Sequence, residues 1–491
     1  MTSRSTLTET RAAAGPLVVS VANPRYFAVE SERQVVYLTG SHIWNNFHDG
    51  LGPGAKCTGT PERNDYAAYL EFLKQHGHNF IRLWRWEHFQ SQAAGGAFHL
   101  CMSPQPWRRS GPGVARDGEP KFDLTQFDDD YFARLRERVI AAGNQGIYVA
   151  VMLFDGWAMH LSPPPDNVEG HPFHSANNIN DISVTSIVDY QVLPLDARIQ
   201  SLQEAYIRKV VDTVQDFPNV LYEVANESSG ADAESVQLPD GSSIPTLVGD
   251  STQWQYWVIR MLKQYEQQMG YQKHPIGMTM QFPVPEQSKV NEPLYDSPAD
   301  WISPGFDDVV LGMPDSPRSR WYINPPASDG RKVIITDTDH YAPGMGDALW
   351  AWKSFVRGHN PILMDFGIVD VVHPLDPSLG VPSYESFEAA RFAMGDTLRF
   401  ASRIGLVAMQ PHDELSSTGY VLAQPGTEYL VLQPEPGSFS VRLEPRRYDA
   451  EWFNVNERVS PAAAPVIVDR ARDVTFQPPF APAVLYLKGS A

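Results

Sequence analysis

Eight short apolar runs, separated by stretches of helical periodicity, constrain this chain more than any other feature. In order they are VVYLTGSHIW (35–44), NFIRLWRWE (79–87), GIYVAVMLFD (146–155), VLYEVANE (220–227), PIGMTMQF (275–282), DWISPG (300–305), KVIITDTDH (332–340) and NPILMDF (360–366). Between them lie segments such as DYAAYLEFLKQHG, YFARLRERVIAAGNQG and YIRKVVDTVQDFP, whose apolar residues recur at helical spacing. Buried strands alternating with amphipathic helices imply parallel β/α units. Eight such units predict an α/β fold, a (β/α)8 TIM barrel rather than a doubly wound sheet. The sixth run is short and interrupted by Pro304, and the barrel count depends on it.

After about residue 405 the period changes from helical to two. YVLAQP, EYLVLQP, SFSVRLEP, YDAEWFNV, RDVTFQPPF and AVLYLKG alternate, with Pro, Gly and Asn between them. This predicts a C-terminal antiparallel β-sandwich over 405–491, appended to a barrel over 31–404. YESFEAARFAMGDTLRFASR (384–403) reads as the last barrel helix, and residues 1–30 as a tail with a hairpin, VVSVANPRYFAV, closing the barrel floor.

A formal charge of −19 argues against nucleic acid or an anionic membrane as partner, because both need clustered Lys and Arg. No stretch reaches the roughly 18 apolar residues of a membrane span. The N-terminal twenty residues lack a basic start followed by a continuous apolar core, so the expected location is cytoplasmic. Cys57 and Cys101 are the only cysteines and form no C-x-x-C pair, which supports neither a disulfide framework nor a zinc cluster. No cofactor and no metal are expected. His76 and His78, together with DTDH, lack any metal-ligand spacing such as H-E-x-x-H. Oligomeric state is not legible.

In such barrels the reacting groups stand where strands end. The eight runs end in His42 and Trp44; Arg82, Arg85, Trp86 and Glu87; Asp155 and Trp157; Asn226 and Glu227; Gln281; Asp337, Asp339 and His340; and Asp365. Acids, amides and aromatics thus gather at one end. Glycosidic hydrolysis calls for two carboxyls, one to protonate the leaving oxygen and one to attack the anomeric carbon or activate water. Strands four and seven face each other across an eight-stranded mouth, so Glu227 and an aspartate of ITDTDH flank a bound sugar. Trp44, Trp84, Trp86 and Trp157 offer stacking faces, and His42, His160 and His340 offer hydrogen bonds to hydroxyls.

FPNVLYEVANESS resembles the strand-4 motif of clan A glycoside hydrolases, the group that includes family 5. VVYLTGSHIWNNF and KVIITDTDHY…ALWAWKSFVRGHNPILMDFG resemble a barrel branch of that clan whose members carry a C-terminal β-domain of the collagen-binding type. The resemblance implies that Glu227 is the general acid/base and that Asn226 binds the sugar's 2-hydroxyl. It implies retention, and an arginine beside the nucleophile, which is Arg82 here; Arg85 is its competitor. The clan expects a strand-7 glutamate, and this chain has none. Aligning the apolar stem puts Asp337 in that place as nucleophile. Asp339, on the same strand face by alternation, and His340 then tune it or bind substrate. Asp365 or Glu87 remains an alternative second carboxylate. An aspartate is one methylene shorter, so the gap to the sugar can grow, which favours inversion.

The leading expectation is therefore a glycosidase acting on an oligosaccharide or glycoside. His42, Trp44, Arg82, Trp86, Asp155, Trp157, Asn226, Gln281, Asp339, His340 and Asp365 are its candidate substrate-binding residues. Long insertions at 88–121, 156–195 and 228–252 would wall the mouth and suggest a pocket for exo-action. A transglycosylase on the same residues and a non-catalytic carbohydrate-binding barrel are the rivals.

Overall fold

The computed structural model describes residues 12–29, 34–51, 64–93, 98–157, 159, 166–231, 235–237, 243–245, 249–282, 284, 289–307, 319–368 and 383–490. All eight apolar runs become strands of one parallel sheet: β1 (Gly40–His42), β2 (Phe80–Leu83), β3 (Tyr148–Asp155), β4 (Val220–Asn226), β5 (Ile276–Thr279), β6 (Trp301–Ser303), β7 (Val333–Asp337) and β8 (Asn360–Met364). Each strand pairs with its neighbours in chain order, from β2 round to β8 and back to β1. β1 and β2 close the ring through Asn79. Its backbone N–H donates to Thr39 O (3.0 Å), and its Oδ1 accepts from the Thr39 N–H (2.9 Å). β6 stops at Ser303 because Pro304 has no N–H to give a ladder.

A helix follows every strand: α1 (Tyr66–Gln75), α2 (Asp129–Asn144), α3 (Ala197–Val214), α4 (Thr252–Met269), α5 (Glu292–Asp296), α6 (Arg320–Ile323), α7 (Ala348–Val356) and α8 (Glu388–Ala401). Local chemistry sets their ends. Asp128 caps α2 by accepting from the Asp130 and Tyr131 N–H groups, and Asp129 and Asp130 complement its dipole. α4 ends on Gly270 at φ +67°, a conformation that glycine adopts without steric cost.

Strand alternation sorts the side chains. Leu221 of β4 points inward and joins Phe80, Ala150, Trp301, Val333 and Ile362 in a floor layer. Val220, Tyr222 and Val224 join the barrel–helix core. The expected hairpin forms, with Leu17–Val19 antiparallel to Phe27–Val29, and Val35–Val36 adds a third strand. Its Leu17, Phe27 and Val29 cover the floor layer from below.

The C-terminal part is antiparallel. A six-stranded sheet (Gln410–Pro411, Val421–Gln424, Glu428–Gln433, Ala483–Ser490, Arg446–Asn454, Val466–Val468) faces a two-stranded one (Phe439–Leu443, Arg472–Phe476). Val431, Val441, Phe439, Phe476 and Leu485 fill the space between them. The sheet's other face docks on the barrel, where Phe453 meets Trp352 of α7 and Phe400 of α8 at 5.4 and 5.3 Å between ring centres. Each such buried aromatic contributes about 1.5–3 kcal/mol of transfer free energy.

Candidate active site

Above the floor layer the barrel interior turns polar, and its centre is Arg82. The side chain is fully buried. Its Nε and Nη2 donate to the two carboxylate oxygens of Glu223 (2.8 and 2.5 Å), Nη2 also donates to Asn226 Oδ1 (2.7 Å), and Nη1 donates to Asp337 Oδ2 (2.8 Å). A buried cation survives only when paired this completely. Burial opposes its charge, but Glu223, Asp337 and Asp339 outweigh burial and hold the guanidinium firmly protonated.

Asp337 ends β7 and shares its Oδ2 with His42, whose Nε2 lies 2.7 Å away. The Trp84 indole N–H donates to His42 Nδ1 (2.8 Å). An indole only donates, so the neutral imidazole carries its proton on Nε2, facing Asp337. Burial by itself would raise the Asp337 carboxyl; His42 and Arg82 overcome it and hold the group well below the ordinary carboxylate range. Its Oδ1 accepts from the Asp339 N–H (3.0 Å), capping a helical turn over Thr338–Tyr341. That turn corrects one expectation. Asp339 does not share a strand face with Asp337, because the strand has already given way to helix.

Asn226 Oδ1 accepts from both Arg82 and His340 Nε2 (3.2 Å), which fixes the amide with its NH2 pointing the other way. Ser303 Oγ holds the His340 Nδ1 at 2.8 Å. Glu227 follows with φ +44°, a left-handed backbone that a non-glycine residue adopts at a cost of order 1–3 kcal/mol. Gly156, after β3, makes room for it: a Cβ there would stand 2.5 Å from Ser228 Cα and 2.8 Å from Glu227 O. The Glu227 carboxyl is raised well above its ordinary value, by burial first and then by Asp339 and Asp155. Asp339 is itself pushed up to about 7, by burial and by the negative charge of Asp337.

The remaining candidates divide. Trp86 N–H donates from its ring to Trp44 O (2.8 Å), and its ring meets Trp157 edge-on at 5.7 Å. Trp44, which packs on Phe366, and Trp157 are both half-buried, so they line the rim. Asp155 takes the Trp157 N–H on Oδ1 (3.1 Å) and pairs in register with Asn226. Gln281 is spent on Ser229, Asp250, Ser251 and Thr252, holding the loop between β4 and α4. Asp365 takes two bonds from Arg391 (2.7 and 2.8 Å) and is fully buried. Glu87 is likewise committed, to the Asp155 N–H, Tyr190 and His171, with Arg85 beside it, and its carboxyl is lowered to about 2 against burial. His160 lies outside the described residues. His76 and His78 bond to Glu388 and to Arg391 O behind the barrel wall. Among the described residues no cluster of three His, Cys, Asp or Glu could hold a metal ion.

Sequence reasoning passed over Glu223. Its signal was alternation: Leu221 and Glu223 share the inward strand face, so an acid there had to meet a cation. Cys101 is a second correction. It is disulfide-bonded, although no disulfide was expected; the chain's one other cysteine, Cys57, lies outside the described residues.

No family model matches the chain, and no curated protein matches it. Solved structures do. A protein described as a glycoside hydrolase aligns with a TM-score of 0.57 at 13% identity over 97% of each chain. A family 5 glycoside hydrolase from Bacteroides vulgatus gives a TM-score of 0.58 at 12% identity, covering 98% of this chain and 95% of that one. At these identities the likeness is one of fold, and it extends over almost the full length of both partners.

Proposed function

We propose that this chain is a glycoside hydrolase of the clan A type, cleaving an O-glycosidic bond of an oligosaccharide or glycoside with Glu227 as acid/base. The observation that carries the reading is the state of Glu227. A carboxyl held protonated by burial and by neighbouring acids, on a strained backbone at a strand end, is what a general acid requires. Its partner is the acid pair at the end of β7, Asp337 and Asp339, seated on Arg82. The strain at Glu227 also favours catalysis over a passive sugar-binding barrel, which has no use for it. The fold shared with glycoside hydrolases supports the same class.

Asn226, with its oxygen bound to Arg82 and His340, presents its NH2 to a sugar hydroxyl. Trp44 and Trp157 offer stacking faces at the rim. The segments after β2 and β3 join into one wall, through Phe122 N–H to Asn177 O (2.8 Å) and Phe89 N–H to Gly170 O (2.9 Å). A wall of this kind suits a pocket and exo-action. Retention is the stereochemistry we assign, following the clan.

The test is a panel of dinitrophenyl glycosides and small oligosaccharides, with the first-formed anomer read by proton NMR. Release of a sugar with retained configuration is the expected result. Absence of turnover across gluco, galacto, manno, xylo and arabino donors would remove the proposal.

A further inference from the structure

Resting on the glycosidase reading above, the geometry points to Asp339, not Asp337, as the carboxylate that meets the anomeric carbon opposite Glu227. Asp337 is the residue a strand alignment selects, but it is sealed. It is 0% exposed. Its Oδ2 sits between Arg82 Nη1 (2.8 Å) and His42 Nε2 (2.7 Å), and its Oδ1 caps the Asp339 N–H. An attacking oxygen needs a free lone pair and an approach of about 3–3.5 Å to the carbon. Asp337 is closed to that approach.

Asp339 offers both. Its Oδ2 has no hydrogen-bond partner; Arg82 Nη1 stands 3.5 Å away, and the His340 ring, kept neutral by burial, has its Nε2 at 3.8 Å. It is 8% exposed, and so is Glu227. Among the described acids named at the strand ends, Asp155 is 1% exposed and Glu87, Glu223 and Asp365 are 0% exposed. Asp339 and Glu227 are thus the two of these strand-end carboxyls that are partly exposed, and Glu227 lies where the charge of Asp339 is felt. Asp337 becomes a positioning residue. It caps the turn that carries Asp339 off the strand, and it holds Arg82 beneath it.

In the step this implies, an Asp339 oxygen forms a bond to the anomeric carbon as the glycosidic C–O bond breaks. That bond's electron pair goes to the leaving oxygen, which takes the Glu227 proton and departs as an alcohol. Water then gives its proton to Glu227 and attacks the same carbon. The ester C–O bond breaks, and the carboxylate of Asp339 is restored.

The experiment uses the wild-type chain and a dinitrophenyl 2-deoxy-2-fluoroglycoside of the sugar it hydrolyses, with the labelled side chain located by fragmentation mass spectrometry. The expected ester is on Asp339. In parallel, azide is added to Asp339→Gly and Asp337→Gly, both checked for a folded melting transition. Azide should restore turnover about tenfold or more in Asp339→Gly, yielding a glycosyl azide of inverted configuration, and should leave Asp337→Gly unchanged. A label on Asp337, azide rescue confined to Asp337→Gly, or no label on a chain that turns over would each overturn the assignment while leaving the glycosidase reading intact. A wild type without turnover would overturn both.

Discussion

Arg82 and Glu223 meet inside the barrel through two bonds, Nε to one carboxylate oxygen at 2.8 Å and Nη2 to the other at 2.5 Å. Both residues are 0% exposed, and the pair sets the floor of the site. With Glu223 holding one edge, the guanidinium has Nη1 left for Asp337 and Nη2 for Asn226.

Glu223→Gln should therefore act on stability and turnover together. Removing one partner of a buried ion pair costs about 3–5 kcal/mol, because the other charge stays buried. Urea unfolding should show a loss of that size. A loss under about 1 kcal/mol would mean that Arg82 is supported by Asp337 alone.

The activity profile against pH follows from Asp339. Attack needs the Asp339 carboxylate, so kcat/KM should rise as pH passes about 7, and loss of the Glu227 proton should set a falling limb shifted up from the ordinary carboxylate range. Asp337→Asn removes a negative neighbour of Asp339 and leaves more of Arg82 to it. The rising limb should move to lower pH. A limb that stays or moves upward would contradict the coupling.

Much of the architecture was legible because parallel strands are buried on both faces, and their apolar runs end where the mouth begins. Even β6 was visible, since Pro304 shortens the strand without removing it. Glu227 was legible for the same reason: it follows the fourth run. What escaped depends on contacts made across the barrel. Asp365 and Gln281 end strands as reacting groups do, but Arg391 and the loop after β4 take them up. Asp339 was misphased because a strand-end aspartate can also cap a helix, and Asp337 does. Glu223 sat in plain view on the inward face of β4, where a search confined to strand ends does not look.

Stability should carry the mark of Asp339 as well. Its folded pKa of about 7 lies above the ordinary value near 4. Between those values the folded chain keeps a proton that the unfolded chain releases, so this group costs stability as pH rises through the window. Asp339→Asn abolishes that titration. The variant should melt above wild type at pH 8, with the gap closing toward pH 4. A constant gap would show that Asp339 is an ordinary carboxylate in the folded chain.

Gly156→Ala tests the loop that shapes the backbone of Glu227. The new methyl would collide with Ser228 Cα and Glu227 O, and backbone atoms can yield only by moving the acid. A displacement of about 1 Å costs on the order of a hundredfold in turnover. The loss should be large for alkyl leaving groups and small for dinitrophenolate, which leaves without a proton. Equal losses on both would indicate general damage to the site.

The most direct measurement is turnover by wild type and Glu227→Gln on paired glycosides of one sugar, one with a dinitrophenyl and one with an alkyl leaving group. If Glu227 is the acid, the variant loses about 10²–10⁴-fold on the alkyl glycoside, binds it as before, and releases dinitrophenolate in a rapid burst. Undiminished hydrolysis of the alkyl glycoside by Glu227→Gln would contradict the account.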